Sequence, residues 1–302
     1  MADIPRFKSN PQRPRPPGVS KYIIEPLLEL AVNVALATQR PLLLQGEPGV
    51  GKSSLAADAA FLLGWEYESE VITSRTQAQD LLWKFDAVRR LAEAQAGQKI
   101  GGEHDRRFVE PGVLWKAYAP RSAREYGVRG TATAQAEPKP GTVVLLDEID
   151  KADPDVPNDL LVVVDQRHFR VPELNLPVEA EPQRPVLMLI TTNEERALPQ
   201  AFVRRCVVFK LERHTRKQLQ EIARSHFPLL DEKLLGKLCD LHEVQCRNAL
   251  VRNLPAPSTA EFLDAVQACI HLKLQVDSEL LTQVASLAMW KHGATDEEQF
   301  QK

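Results

Sequence analysis

The chain has 302 residues, enough for one large domain and a smaller one, each with its own core. Hydrophobic residues make up 43% and charged residues 26%, the ordinary balance of a soluble globular protein. A formal net charge of −3 offers no global attraction to nucleic acid or anionic lipid, although a local basic patch is compatible with it. Four cysteines (Cys206, Cys239, Cys246, Cys269) include no C-x-x-C pair, and the histidines lack ligand spacing, which argues against zinc or a disulfide framework. No run reaches the ~18 consecutive apolar residues of a membrane helix. The first residues carry no apolar signal core, so a cytoplasmic, reduced protein is expected.

Residues 1–20 hold five prolines and four basic residues with little apolar content, which predicts a flexible, extended arm. From Pro26 a helical pattern begins, with Leu27, Leu30, Ala31 and Val34 on one face. Pro41–Gln45 reads as a short buried strand, and Ser53–Leu63 as a helix. Further strands fit Glu66–Ile72, Thr142–Leu146, Pro185–Thr191 and Val207–Leu211. Arg121–Gly141, rich in Ala, Gly, Thr and Pro without periodicity, reads as a surface insertion. Short apolar runs alternating with helical stretches predict an α/β fold, a parallel sheet with helices on both faces.

After Leu211 only helices are expected, over 215–226, 231–247, 258–273 and 277–291. Thr215-x-x-Gln218 and Ser258-x-x-Glu261 have the form of capping boxes, in which hydroxyl and amide or acid each satisfy a free backbone N–H. The boundary between an α/β core (21–213) and a helical domain (214–302) therefore falls near residue 213.

Between the first strand and its helix lies GEPGVGKS, a match to G-x-x-x-x-G-K-[ST] made by Gly46, Glu47, Pro48, Gly49, Val50, Gly51, Lys52 and Ser53, with Ser54 next on the helix. Glycines let backbone N–H groups turn inward around a phosphate, where a side chain would intrude. The helix N-terminus adds partial positive charge. Lys52 supplies a full charge to the β- and γ-phosphates, and the Ser53 hydroxyl is a ligand for Mg2+. An ordinary glycine-rich turn is the plain alternative, and the strand–helix context weighs against it.

About a hundred residues on, LLDEIDKA sets Asp147 and Glu148 at the end of an apolar strand. Asp147 is placed to reach the Mg2+ shell beside Ser53, and Glu148 to polarise the attacking water. Acidic residues often end strands; the phosphate loop upstream is what favours the functional reading. VLMLITTN ends at Asn193, a polar residue suited to holding that water, though in isolation asparagine is more often a turn former. LPQAFVRRC then sets Arg204 and Arg205 just before a strand. They form either a solvated basic pair or a guanidinium reaching the γ-phosphate of a neighbouring subunit.

These segments, RPLLLQGEPGVGKS, TQAQDLLWKFD, RFVEPGVLWKAY, VVLLDEIDKADPDV, LITTNEERALPQAFVRRC and PSTAEFLDAV, resemble the AAA+ superfamily of P-loop NTPases, and within it the MoxR-like, dynein-related group. The likeness spans about Tyr22 to Trp290. It implies an α/β ATPase core with an all-helical lid, a ring of identical subunits (a hexamer), and ATP-driven remodelling of a protein client. It also implies ATP and Mg2+ as cofactors and, for some relatives, a von Willebrand A-domain partner. On the matching positions Lys52 and Ser53 hold phosphates and Mg2+, Asp147 coordinates through water, Glu148 activates water and Asn193 is a sensor. Arg205 is the arginine finger, with Arg204 as understudy. Arg107–Gly112 and His168–Glu179 correspond to the group's two inserted hairpins. One departure stands out: where many relatives carry a second sensing arginine in the lid, this chain has Ala260, so either Arg252 or Arg247 substitutes or the second sensor is absent.

Three classes of activity compete on this reading. A protein-remodelling ATPase fits best. A nucleic-acid motor is disfavoured by the mild negative charge and by the lack of a basic run interleaved with aromatics, although Arg121, Arg124 and Arg129 keep it open. A nucleotide switch with little turnover is disfavoured by Glu148, and a GTPase by the lack of an N-K-x-D motif.

Overall fold

A computed structural model of the protein describes residues 5–10, 12–16, 21–126 and 137–289. In chain order, α1 (Pro26–Thr38), β1 (Leu42–Gln45), α2 (Lys52–Leu63) and β2 (Glu66–Val71) come first. Next are β3 (Trp83–Phe85), α3 (Ala87–Gln95), β4 (Val109–Pro111), α4 (Val113–Tyr118) and α5 (Pro120–Ala123). There follow β5 (Thr142–Asp147), α6 (Asp155–Gln166), β6 (His168–Val171), β7 (Leu176–Glu179), β8 (Val186–Thr192), α7 (Gln200–Arg205) and β9 (Val207–Lys210). The last four helices are α8 (Arg216–His226), α9 (Glu232–Val251), α10 (Thr259–His271) and α11 (Glu279–Met289). The chain divides into two compact units. One holds the described residues up to 16, Ile24–Gln45 and the described residues of Ser53–Lys210; the other holds residues 21–23, Gly46–Lys52 and the described residues from Leu211 on.

In the first unit five strands form a parallel sheet in the order β2-β5-β8-β1-β9. Val143 and Val144 point to opposite faces of β5 and both are buried, as are Leu42 and Leu43 of β1, so helices cover both faces of the centre. The edge strands β2 and β9 alternate between half-buried and exposed positions, the pattern of strands covered more on one face than on the other.

Helix α1 buries a different face from the one its periodicity picks out. Leu28, Ala31, Val32, Ala35 and Leu36 face inward, while Leu27 is 65% and Leu30 57% exposed. The helix is apolar nearly all round, so two stripes one residue apart fit the same 3.6 period, and packing against the sheet selected between them. The inserted strands differ as well. His168–Glu179 is an antiparallel hairpin of β6 and β7. The segment Arg107–Gly112 is not: its strand β4 pairs with the distant β3, Trp83 opposite Pro111 and Phe85 opposite Val109, with α3 spanned between them.

The described part of the arm forms no helix or strand and turns at Arg13, whose N–H donates to the Asn10 carbonyl at 3.3 Å, yet it is held. Phe7 is buried, its N–H donating to Asn33 Oδ1 at 2.8 Å and its carbonyl accepting from Asn33 Nδ2 at 3.0 Å. Arg15 pairs with the fully buried Asp58 of α2 and lies over the Phe61 ring. In the insertion expected over Arg121–Gly141, residues 127–136 lie outside the described residues. Its flanks are tied to the core: Ala123 and Tyr126 are buried, and the Arg184 guanidinium donates to the carbonyls of Ala117, Lys139 and Gly141. The flanks are therefore structural, which composition did not show, because they are anchored by one distant arginine.

In the second unit α8–α11 share a core of Leu219, Leu235, Leu238, Phe262, Val266 and Leu281. Both capping boxes are present. Thr215 N–H donates to Gln218 Oε1 at 2.7 Å, and Ser258 N–H donates to Glu261 Oε2 at 2.7 Å. No helix among the described residues is long and apolar enough to cross a membrane.

Candidate active site

Strands β1, β5 and β8 run parallel in register, Leu145 beside Leu189 and Leu42 beside Leu189, so their carboxyl ends emerge at one edge of the sheet. The strand order reverses at β1, and such an edge is where open α/β sheets bind ligands. Asp147 closes β5 there. Its two carboxylate oxygens lie 2.8 and 3.0 Å from the Ser53 hydroxyl. The Thr191 hydroxyl, buried near the end of β8, donates to Asp147 Oδ1 and accepts from the Glu148 N–H at 2.9 Å. Glu148 sits in the left-handed region (φ 61°), a conformation glutamate rarely takes. Asn193 Nδ2 donates to Glu148 Oε1 at 3.3 Å. Asp150, nearly fully buried, braces the same turn by accepting from the N–H groups of Asn193 at 3.5 Å and Glu195 at 3.0 Å.

Ser53, Asp147, Glu148 and Asn193, four residues singled out from the sequence, therefore form one hydrogen-bonded group. A hydroxyl and a carboxylate in direct contact are hard oxygen donors, the type Mg2+ takes when only one or two protein ligands hold it, so they fit that cation. Thr191 and Asp150 were not picked out. Thr191 carried a weak signal, a hydroxyl two residues ahead of Asn193 at a strand end, and Asp150 carried none, because its partners are backbone groups.

In the second unit, the loop before α2 is shaped by its glycines. At Gly49 (φ 76°) an added Cβ would lie 2.4 Å from Ser258 Oγ, and at Gly51 (φ 91°) 2.8 Å from the Tyr22 ring, so neither position admits a side chain. Val50 is buried and Pro48 exposed, and Ser54 continues α2. The Lys52 ammonium is buried and donates to the carbonyls of Gly46 at 2.7 Å and Glu47 at 2.8 Å, turning its charge back into the loop. Ala260 N–H donates to the Gly49 carbonyl at 3.2 Å, which seats the first turn of α10 on the loop. Glu47 is paired with Arg213, a residue the sequence did not single out.

Arg204 and Arg205 end α7, and both are exposed. Arg40 donates to the carbonyls of Arg205 at 2.9 Å and Cys206 at 3.0 Å, fixing the end of that helix. Arg205 Nε lies 3.2 Å from Asp165, an exposed pair. Among the described contacts neither arginine joins the Ser53–Asp147–Glu148–Asn193 group. Arg247 lies against its own helix, its Nε 3.4 Å from the Glu243 carbonyl.

Residues 41–206 match the AAA domain family of the dynein-related subfamily. Midasin of Giardia intestinalis is 30% identical over 179 residues, 57% of this chain. The chain spans only about 3% of the length of that curated relative. Among solved structures, a point mutant of RuvB from Thermotoga maritima aligns with a TM-score of 0.53 over 90% of this chain and 73% of that one, at 14% identity. A likeness at that identity bears on the fold alone.

Proposed function

Since the chain belongs to the dynein-related subfamily of AAA domains, we propose that it binds ATP with Mg2+ and hydrolyses it as a MoxR-like motor. The observation that carries this reading is the group in which Thr191 joins Asp147 to the Glu148 backbone while Asn193 holds the Glu148 carboxylate. The loop amides and Lys52 take the phosphates, with Lys52 exchanging its loop carbonyls for phosphate oxygens. Ser53 and Asp147 would hold Mg2+, which supplies positive charge to the phosphate oxygens. Glu148 accepts a proton from water at its free carboxylate oxygen as that water's oxygen attacks the γ-phosphorus. The bond to the β–γ bridging oxygen breaks, and ADP and phosphate leave. Asn193 keeps the carboxylate aimed through the step.

Assembly completes the reading. Arg204 and Arg205 stand exposed at the end of a short helix, free of the acidic group in their own chain, which suits a finger offered to a neighbour in a head-to-tail ring, a hexamer by analogy with the group. The helical residues from 214 on act as the lid. The motor works on a protein client, with a von Willebrand A-domain protein as one candidate partner, in the cytoplasm, where its four thiols stay reduced.

ATP binding and turnover of the purified chain test the core of this reading. Lys52→Ala should lose binding, because lysine neutralises ground-state phosphate charge. Glu148→Gln should keep binding and lose about a hundredfold or more in turnover, the scale of a general base. Near-normal hydrolysis by Glu148→Gln would remove the glutamate from its role.

A further inference from the structure

The phosphate loop carries a negative charge of its own. Glu47 is the second residue of the loop, and a carboxylate beside the phosphates of ATP opposes binding through like-charge repulsion. In the second unit that carboxylate is taken up by Arg213, whose Nη2 and Nε lie 2.5 and 2.8 Å from the same oxygen, Oε2. Arg213 stands between β9 and α8, on the segment leading into the helices. The loop is fastened two residues further on, where the Gly49 carbonyl accepts from Ala260 N–H and Ser258 occupies the space a side chain would need. The pair is only half exposed, 44% for Arg213 and 56% for Glu47, so solvent damps the interaction without erasing it. At the lid position where many relatives place a sensing arginine stands Ala260, which offers the loop a backbone N–H and no charge.

We propose that Arg213 is a positioning residue for nucleotide binding: it holds Glu47, cancels the loop's own charge and lets the loop accept a polyanion. This deepens the ATPase reading and rests on it. The arginine acts through Glu47, so removing Glu47 must remove the need for Arg213.

That dependence is testable by calorimetric titration of ATP and Mg2+ into the full chain carrying Glu148→Gln, which prevents turnover. Arg213→Gln should weaken binding about three- to fivefold at low ionic strength, the scale of a half-exposed ion pair, and less as salt rises. Arg213→Lys keeps the charge and should recover most of the affinity. Glu47→Gln leaves Arg213 unopposed and should tighten binding by a similar factor, and adding Arg213→Gln to it should bring the affinity back to that of the parent. Unchanged affinity in Arg213→Gln overturns the inference. So does a double variant as weak as Arg213→Gln alone, which would mean that the guanidinium acts on the nucleotide or the fold directly. Were Arg213→Gln to misfold, Glu47→Gln decides: no tightening overturns the proposal. A parent chain that binds no ATP refutes the ATPase reading itself and the inference with it, an outcome distinct from a parent that binds and does not respond to Arg213.

Discussion

Replacing Thr191 by valine tests how the acidic pair is held. Valine keeps the shape of a fully buried side chain and deletes two interactions, the hydrogen bond given to Asp147 and the one taken from the Glu148 N–H. A hydrogen bond to a charged group contributes about 1.5–3 kcal/mol, and a buried N–H left without an acceptor costs about 1–3 kcal/mol. Part of this is recovered as the turn relaxes. That relaxation is available because Glu148 is held at φ 61°, a conformation that costs on the order of 1–3 kcal/mol and persists only while its surroundings enforce it. Relaxation moves the glutamate away from Asn193 and from its aim at water. Turnover should therefore fall about 10- to 100-fold, or about 1.4–2.8 kcal/mol in activation free energy, while ATP binding, which rests on the loop, changes little. Thr191→Ser retains the hydroxyl and should stay within about threefold of the parent, well inside one kcal/mol. Steady-state hydrolysis at saturating ATP, with thermal unfolding on the same samples, reads both effects. Parental turnover in Thr191→Val, or an equal loss in Thr191→Ser, would show that the hydroxyl does not hold the pair.

Three further outcomes are expected. Mixing Arg205→Ala subunits, which keep their own Glu148, with Glu148→Gln subunits, which keep Arg205, should restore activity above either alone, since a finger supplied in trans is worth roughly 10³–10⁵ in rate; no recovery in mixtures shown to co-assemble would point to Arg204 or to a finger acting within its own chain. Arg15→Ala strands the buried Asp58 carboxylate, and because the arm can lift to hydrate it the loss should fall at the low end for a broken buried pair, about 3 kcal/mol; at about 2–4 °C per kcal/mol the unfolding midpoint should drop about 6–12 °C, and an unchanged midpoint would show the arm to be unanchored. Burial pushes His242 below the ordinary imidazole range, so the unfolded chain binds this proton more tightly; the stability it contributes is complete above about pH 6.5 and declines as pH falls below it. Unfolding midpoints at pH 7.5, 6.5 and 5.5 should decrease in that order, and less steeply in His242→Gln, whereas a flat or rising series would refute the sign.

The core strands and their order of appearance were legible from residues alone, because a buried parallel strand is a run of apolar side chains and Leu42–Leu44, Val143–Leu146 and Leu187–Ile190 are such runs. Capping boxes were legible for a similar reason: Thr215 with Gln218 and Ser258 with Glu261 satisfy donors only three residues away. Gly46–Ser53, Asp147, Glu148 and Asn193 could be singled out because the chemistry proposed for them demands fixed residue types at strand ends. The remaining features depend on partners far apart in the chain. The buried face of α1 was chosen by packing against the sheet between two stripes of equal period. The pairing of Val109–Pro111 with Trp83–Phe85 joins strands too short to signal each other. Arg184 binds three carbonyls that carry no residue identity, and Thr191 reaches Asp147 and Glu148 across 43 or 44 residues. Arg213 meets Glu47 across 166 residues. A local pattern records what a segment must do with its own neighbours; a long-range hydrogen bond or ion pair exists only once the sheet and the helices have brought its two ends together.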